Sequence, residues 1–340
     1  MIFLGFDTSC YTTSVAAVDE NGKIIASKRR LLSVPDGQRG LRQSEGFYQH
    51  VNAMPQLYGE LVQQVGGRPD AIAVSEHPRN CAGSYMPVFY AGVRMAEMLS
   101  HSFGCPLYRT DHQSGHVMAA LYASAMSLPR FLAVHLSGGT TEVLETEMKN
   151  GLPVCRIAMK TGDISAGQLI DRVGVALGFS FPSGRFIDEL AVAYDGKRIK
   201  LPVYIDGEKC SLSGTEAAAM RAIEAGVNKS ALAEAVMDAI VRTLCAMLEN
   251  AALRTGCFTA LISGGVASSK YLRAALQGEL SKINPSLRVF FASPELSADN
   301  ACGVALIAQR CYAASENAEK SEKKPIKNGQ KSVKKRAKNA

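Results

Sequence analysis

The chain has 340 residues with a formal net charge of +7, 47% hydrophobic and 20% charged residues, no Trp and nine scattered cysteines. That length suits two medium domains, and the composition is that of a globular protein. With no CxxC pair and few aromatics, it argues against a disulfide framework, a zinc knuckle and a base-stacking platform for single-stranded nucleic acid, and it fits a reducing, cytoplasmic compartment.

Taken in chain order, an apolar strand from Phe3 meets Asp7 at once and has no basic leader, so a strand is expected there and not a signal peptide. A small-residue turn, Asp7-Thr8-Ser9, runs through Thr12-Thr13 into a return strand and then to the hairpin signal Asn21-Gly22. Helix-like stretches follow near 45–65 and 88–103, with strands near Ala71–Ser75 and Pro106–Arg109. Next, Asp111-His112-Gln113-Ser114-Gly115-His116 precedes an apolar helical stretch. Two histidines four apart on a helix share one face and can bind one ion, although HxxxH is at least as often two unrelated histidines.

The second half repeats the opening. Superposing Phe3 on Phe131 aligns Thr12-Thr13 with Thr140-Thr141 and Val15 with Val143, and the second copy ends in its own Asn150-Gly151. Helices are expected near 165–178 and 229–255, and strands at Phe258–Ile262 and Val289–Ala292. The longest apolar stretch, Ala231 to Leu253, is broken by Glu234, Asp238, Arg242 and Glu249, so it reads as an amphipathic helix and not a membrane span. From Cys311 onward nine Lys/Arg face three Glu, leaving only +1 on the rest of the chain. Residues 315–340 therefore read as a disordered basic tail, either solubilising or attracted to RNA phosphates.

Strands alternating with helices imply open sheets covered by helices, with ligands at strand ends. The duplication points to an α/β fold of two lobes around a nucleotide cleft, the actin-like, Hsp70-like and sugar-kinase (ASKHA) ATPase architecture. The expected lobes are 1–110 plus 299–314, and 111–298. Ser137-Gly138-Gly139-Thr140-Thr141 follows an apolar strand, and its glycines let backbone approach a phosphate. Asp7 occupies the equivalent first turn and is the candidate catalytic carboxylate. Ser263-Gly264-Gly265-Val266 leads into a helix whose start favours an anion or an adenine edge. Asp299-Asn300, at the start of the last helix, offers a third ligand to the His pair, or merely an N-cap. His135 ends the strand entering the phosphate turn. Imidazoles with one carboxylate suit zinc or iron.

Together these residues resemble the TsaD/Kae/Qri family of tRNA threonylcarbamoyltransferases over about 1–312. The matching segments are Gly5 to Cys10, His112 with His116, Ser137-Gly138-Gly139, Asp171 with Gly178 and Pro182-Ser183-Gly184, Ser211 to Gly214, Gly264-Gly265-Val266 and Asp299-Asn300. The resemblance implies one divalent metal, iron or zinc, on His112, His116 and Asp299, with His135 as a fourth ligand. It also implies an adenylate such as threonylcarbamoyl-AMP, with Leu136, Ser137, Gly138 and Gly139 at its phosphate. Asp171, Gly184, Asp188, Gly265 and Ser269 would lie about the ribose and adenine. The implied reaction moves the threonylcarbamoyl group to N6 of the adenosine beside the anticodon of tRNA. The implied partners are tRNA, a shorter paralogous subunit and a small ATPase, with no membrane.

The chain departs from the family pattern at Tyr11 and Thr12, where two acidic residues are usual, and at His77-Pro78-Arg79, Thr140 and Ser269. These departures keep open a diverged paralogue that binds nucleotide and metal for a different carbamoyl-type transfer or for regulation. A sugar kinase would not need the His pair, and a zinc protease would need the glutamate of HExxH.

Overall fold

The computed structural model describes residues 1–9, 11–35, 40–124, 126–207 and 209–322. In chain order the elements are β1 (Ile2–Asp7), β2 (Thr12–Asp19), β3 (Ile24–Leu31), α1 (Gln43–Val65), β4 (Ala71–His77), α2 (Phe89–Phe103), β5 (Leu107–Asp111), α3 (His112–Ser124), β6 (Arg130–Leu136), β7 (Thr141–Lys149) and β8 (Leu152–Thr161). There follow α4 (Ala166–Ala176), α5 (Gly184–Ala193), β9 (Tyr204–Asp206), β10 (Lys209–Ser211), α6 (Ser213–Glu224), α7 (Lys229–Thr255), β11 (Thr259–Ser263), a 3₁₀ turn (Gly265–Ser268), α8 (Lys270–Ile283), β12 (Arg288–Phe291), α9 (Pro294–Ser297) and α10 (Cys302–Glu322).

One sheet has the order β3-β2-β1-β4-β5 and the other β12-β11-β6-β7-β8-β10-β9. Read from the opposite edge, five strands of the second sheet reproduce the first: an antiparallel meander followed by two parallel strands. The register repeats too. Phe6 faces Val15 and Phe3 faces Val18, as Val134 faces Val143 and Phe131 faces Thr146. The alignment seen in the sequence is thus a structural duplication, closed in both copies by the expected hairpins. Gly22, Asn150 and Gly151 all take positive φ there, as such tight turns require. Each copy buries apolar strand residues under helices, α1 and α2 in the first and chiefly α7 in the second.

A third apolar cluster joins the two sheets. It contains Phe3 and Ala73 from the first, Phe131 and Leu261 from the second, and the buried faces of α3 and α10. These two helices therefore lie between the lobes, and the residues at their N-terminal ends face the cleft. Helix α7 keeps the expected polar stripe, narrow and half-buried, with Asp238 paired to Arg242 along it, while Glu234 on the enclosed side pairs with Arg198. One expectation is corrected. Residues 315–322, expected to be disordered, continue α10, since Ala, Glu and Lys are good helix formers. Residues 323–340 of the proposed tail lie outside the described residues. Among the described residues, no helix is long and apolar enough to cross a membrane.

Candidate metal and nucleotide site

β5 passes directly into α3. Asp111 caps the helix: its carboxylate accepts from Ser114 N at 2.9 Å and Ser114 Oγ at 2.6 Å. That fixes His112 in the first turn and His116 one turn on. Across the cleft, Asn300 caps α10 by accepting from Cys302 N at 2.9 Å, so the capping role belongs to Asn300 and leaves the Asp299 carboxylate free for the cleft.

The sequence-predicted ligands converge. Nε2 of His112 and Nε2 of His116 lie 3.0 Å apart, and Asp299 Oδ1 lies 3.1 Å from the second and 3.7 Å from the first. Three ligand atoms about 2.0–2.2 Å from one ion stand at separations of this order. His116 is 4% exposed and its Nδ1 has no hydrogen-bond partner, while His112 and Asp299 are half-buried, so the cluster is open on one side. Two imidazoles and one carboxylate match the donor set of an iron or zinc site with open positions. His135 does not join the three mutually close ligand atoms. Its ring packs against His116, centroids 4.4 Å apart, and its buried Nε2 also lacks a partner.

Asp7, the candidate catalytic carboxylate, lies directly behind His112. It is 1% exposed, and both oxygens are taken: Ser9 N donates to Oδ1 at 2.8 Å, while Ser75 Oγ and His112 Nδ1 donate to Oδ2, each at 2.7 Å. The hydrogen bond to Nδ1 turns the Nε2 lone pair of His112 toward the cluster, the arrangement by which a carboxylate orients a metal-binding imidazole. Sequence reasoning missed Ser75, whose part depends on the parallel pairing of β1 with β4.

Electrostatics follow from this packing. Burial alone would lower the His112 pKa, but the charge and hydrogen bond of Asp7, with Asp299 and Asp111, override it and raise it to about 9. Burial would raise the Asp299 pKa, but the His116 hydrogen bond and the surrounding imidazoles hold it below the usual carboxylate range. Burial and the neighbouring imidazoles push His135 well down. Without metal, a His112 pKa raised from 6.5 contributes stability that is complete below about pH 6.5 and lost as pH rises through about 9. Chelator-treated protein is therefore expected to melt at falling temperature across that window, while metal affinity climbs as the competing proton leaves. Melts that are flat or rise from pH 6.5 to 9 would contradict this assignment.

The phosphate turn lies beside the cluster, two residues beyond His135. It is tightened by Ser137 Oγ, which accepts from Thr140 N at 3.1 Å, and by Ser165 Oγ, which donates to Gly138 O at 2.7 Å. Helix α4 packs so closely that a Cβ on Gly167 would stand 2.6 Å from Gly138 Cα and from Ser137 O. Gly138 and Gly139 remain exposed toward the cleft. The Gly264-Gly265 turn adjoins this one: Gly264 takes φ +104°, and a Cβ there would meet Leu136 O at 2.1 Å.

The more distant nucleotide candidates are less free than expected. Asp188 accepts from Ser269 Oγ and from the backbone N–H groups of Lys270 and Tyr271, so it anchors the start of α8. Ser269 caps the same helix, accepting from Leu272 N at 3.0 Å. Asp171 accepts from Ser183 N at 2.7 Å beside Gly184, which ties α4 to the start of α5. A cleft of about 400 Å³ is lined by Asp188, Arg185, Glu189, Val192 and Lys270 and reaches neither the metal ligands nor the phosphate turn.

The family model described as "TsaD: tRNA N6-adenosine threonylcarbamoyltransferase" matches residues 44–306. A protein of that name from Thermus thermophilus is 29% identical over 316 residues, covering 91% of this chain and 93% of that one. One from Syntrophotalea carbinolica is 30% identical, covering 88% and 89%. Among solved structures, the activator of 2-hydroxyisocaproyl-CoA dehydratase from Clostridium difficile superposes with a TM-score of 0.56 at 11% identity, covering 97% of this chain and all of that one. A ROK family glucokinase from Streptomyces griseus gives 0.52 at 13% identity, covering 91% and 100%. These two establish the two-lobed actin-like fold and no more. The chain is an enzyme of the tRNA N6-adenosine threonylcarbamoyltransferase family.

Proposed function

We propose that this protein transfers a threonylcarbamoyl group from threonylcarbamoyl-AMP to N6 of the adenosine beside the anticodon of tRNA. The observation that carries the reading is the meeting of His112, His116 and Asp299 next to the Ser137-Gly138-Gly139 turn. The adenylate phosphate docks on the exposed Gly138-Gly139 backbone, where the Gly138 N–H is the donor not engaged within the turn, Ser137 N, Gly139 N and Thr140 N being held by Thr140 O and Ser137 Oγ. His112, His116 and Asp299 would hold a divalent ion, iron or zinc, which would supply a Lewis acid for the carbamoyl oxygen. Asp7 acts as a positioning residue, holding the His112 ring while Ser75 and Ser9 hold Asp7. His135 narrows the cleft beside His116 and stays neutral, available as a hydrogen-bonding or ligating imidazole. By the family resemblance, a shorter paralogous subunit and a small ATPase act with this chain in the cytoplasm.

In a bacterial strain depleted of its own enzyme, expression of this chain with its partners is expected to restore N6-threonylcarbamoyladenosine to tRNA, read by nucleoside mass spectrometry. Unmodified tRNA alongside abundant, folded protein would overturn the proposal.

A further inference from the structure

A second polar cluster reaches the same end of the cleft and has no part in the site described so far. Glu142 stands opposite His135 in the β6–β7 ladder, so both side chains leave the sheet on one face. It is 1% exposed, and both of its oxygens are engaged. Gln113, the neighbour of His112 on α3, donates to Oε1, and Arg79 Nη2 lies 2.9 Å from Oε2. Arg79 comes from the other lobe, in the connection between β4 and α2. That connection is pinned: Arg79 N donates to Ser84 Oγ at 3.0 Å, Cys81 N donates to Arg79 O at 2.9 Å, and Gln113 N donates to Pro78 O at 3.2 Å.

The Arg79 side chain nevertheless stays 38% exposed. Among the described residues its guanidinium is engaged by Glu142 through one nitrogen, which leaves further N–H donors of the fork unused. Its charge reaches the metal site, where it adds to burial and the imidazoles in lowering the His135 pKa. A buried carboxylate that fixes one edge of an arginine while the other edge is open to solvent is a preorganised anion receptor.

We propose that Arg79 is a ligand-binding residue, docking an anionic group of the acyl donor, carboxylate or phosphate, on the free edge of its guanidinium, with Glu142 and Gln113 holding the fork in place. This rests on the acyl-transfer reading, in which the donor carries two anions, the adenylate phosphate and the carboxylate of its amino acid. Binding measured by calorimetry on the full chain separates them. AMP presents the phosphate alone, and N-carbamoyl-L-threonine presents the carboxylate alone.

Arg79→Gln is expected to weaken one of the two by about tenfold or more, the loss of one charge-assisted hydrogen bond, and to raise the donor KM in parallel with kcat little changed. Arg79→Lys keeps the charge and the tie to Glu142 but not the fork, so it recovers only part of the affinity. A fall for AMP identifies the phosphate as the docked group, and a fall for the carbamoyl amino acid identifies the carboxylate. Unchanged affinity for both probes, with only a lowered melting temperature, would make the pair a structural tie and overturn the proposal. Arg79-dependent binding in a protein that never modifies tRNA would leave Arg79 standing as the anion-binding residue and overturn the acyl-transfer reading instead.

Discussion

Asp299→Ala is expected to abolish metal retention and to lower transfer by about 10²–10³-fold, while leaving a folded protein. The carboxylate supplies the only negative charge among the three converging ligand atoms, 3.1 Å from His116 Nε2 and 3.7 Å from His112 Nε2. Without it, two imidazoles remain 3.0 Å apart, a weaker and uncharged donor pair for a divalent ion. A Lewis acid aligned with a developing oxyanion contributes several kcal/mol to the transition state, hence the size of the loss. Folding is spared because Asn300, and not Asp299, caps α10. Elemental analysis of the purified variant, paired with tRNA modification, decides it. A variant that keeps stoichiometric metal would remove Asp299 from the ligand set, and one that loses metal yet modifies tRNA at the normal rate would remove the ion from the mechanism.

Gly303→Ala should be nearly as damaging by a different route. A Cβ at Gly303 would stand 1.8 Å from the carbonyl oxygen of Gly115 and 2.8 Å from Ala119 N, both backbone atoms of α3 that cannot swing aside. Gly5 makes the same close approach from the sheet, where a Cβ would lie 2.3 Å from Ala305 N. Relief requires α10 to move off α3 and β1, which carries Asp299 away from the histidines. Overpacking of this kind costs about 3 kcal/mol. Thermal melts should show a drop of several degrees, and metal content should fall although no ligand has been changed. Wild-type stability with full metal would mean that the helix crossing is looser than it looks.

Much of this architecture is legible in the sequence for a physical reason. The duplication survives as apolar period, turn residues and hairpin signals, all local properties, and its register of Phe6 with Val15 and Val134 with Val143 follows from strand lengths and turns. The His pair is legible because helical spacing alone puts residues four apart on one face. Asp7 is legible as a cleft residue but its hydrogen bonds are not, since its partners Ser75 and His112 lie 68 and 105 residues away. The same holds for Asp188, whose partners are the backbone N–H groups at the start of α8. Arg79 with Glu142 is invisible as a pair because it spans the two lobes. Gly5 and Gly303 carry no side chain to mark them, and only the helix crossing shows that a methyl group would not fit.

That crossing also sets an order of events in the life of the chain. The ligands His116 and Asp299 are 183 residues apart, and the second arrives only with the segment that leads into α10. During synthesis the two histidines emerge long before their carboxylate, and both sheets can pair while the third corner of the site is still inside the ribosome. An ion that needs all three side chains could therefore not act as a nucleus around which the lobes assemble. It would bind only after the segment that leads into α10 has arrived, so its retention would report that the two halves of the cleft have come together.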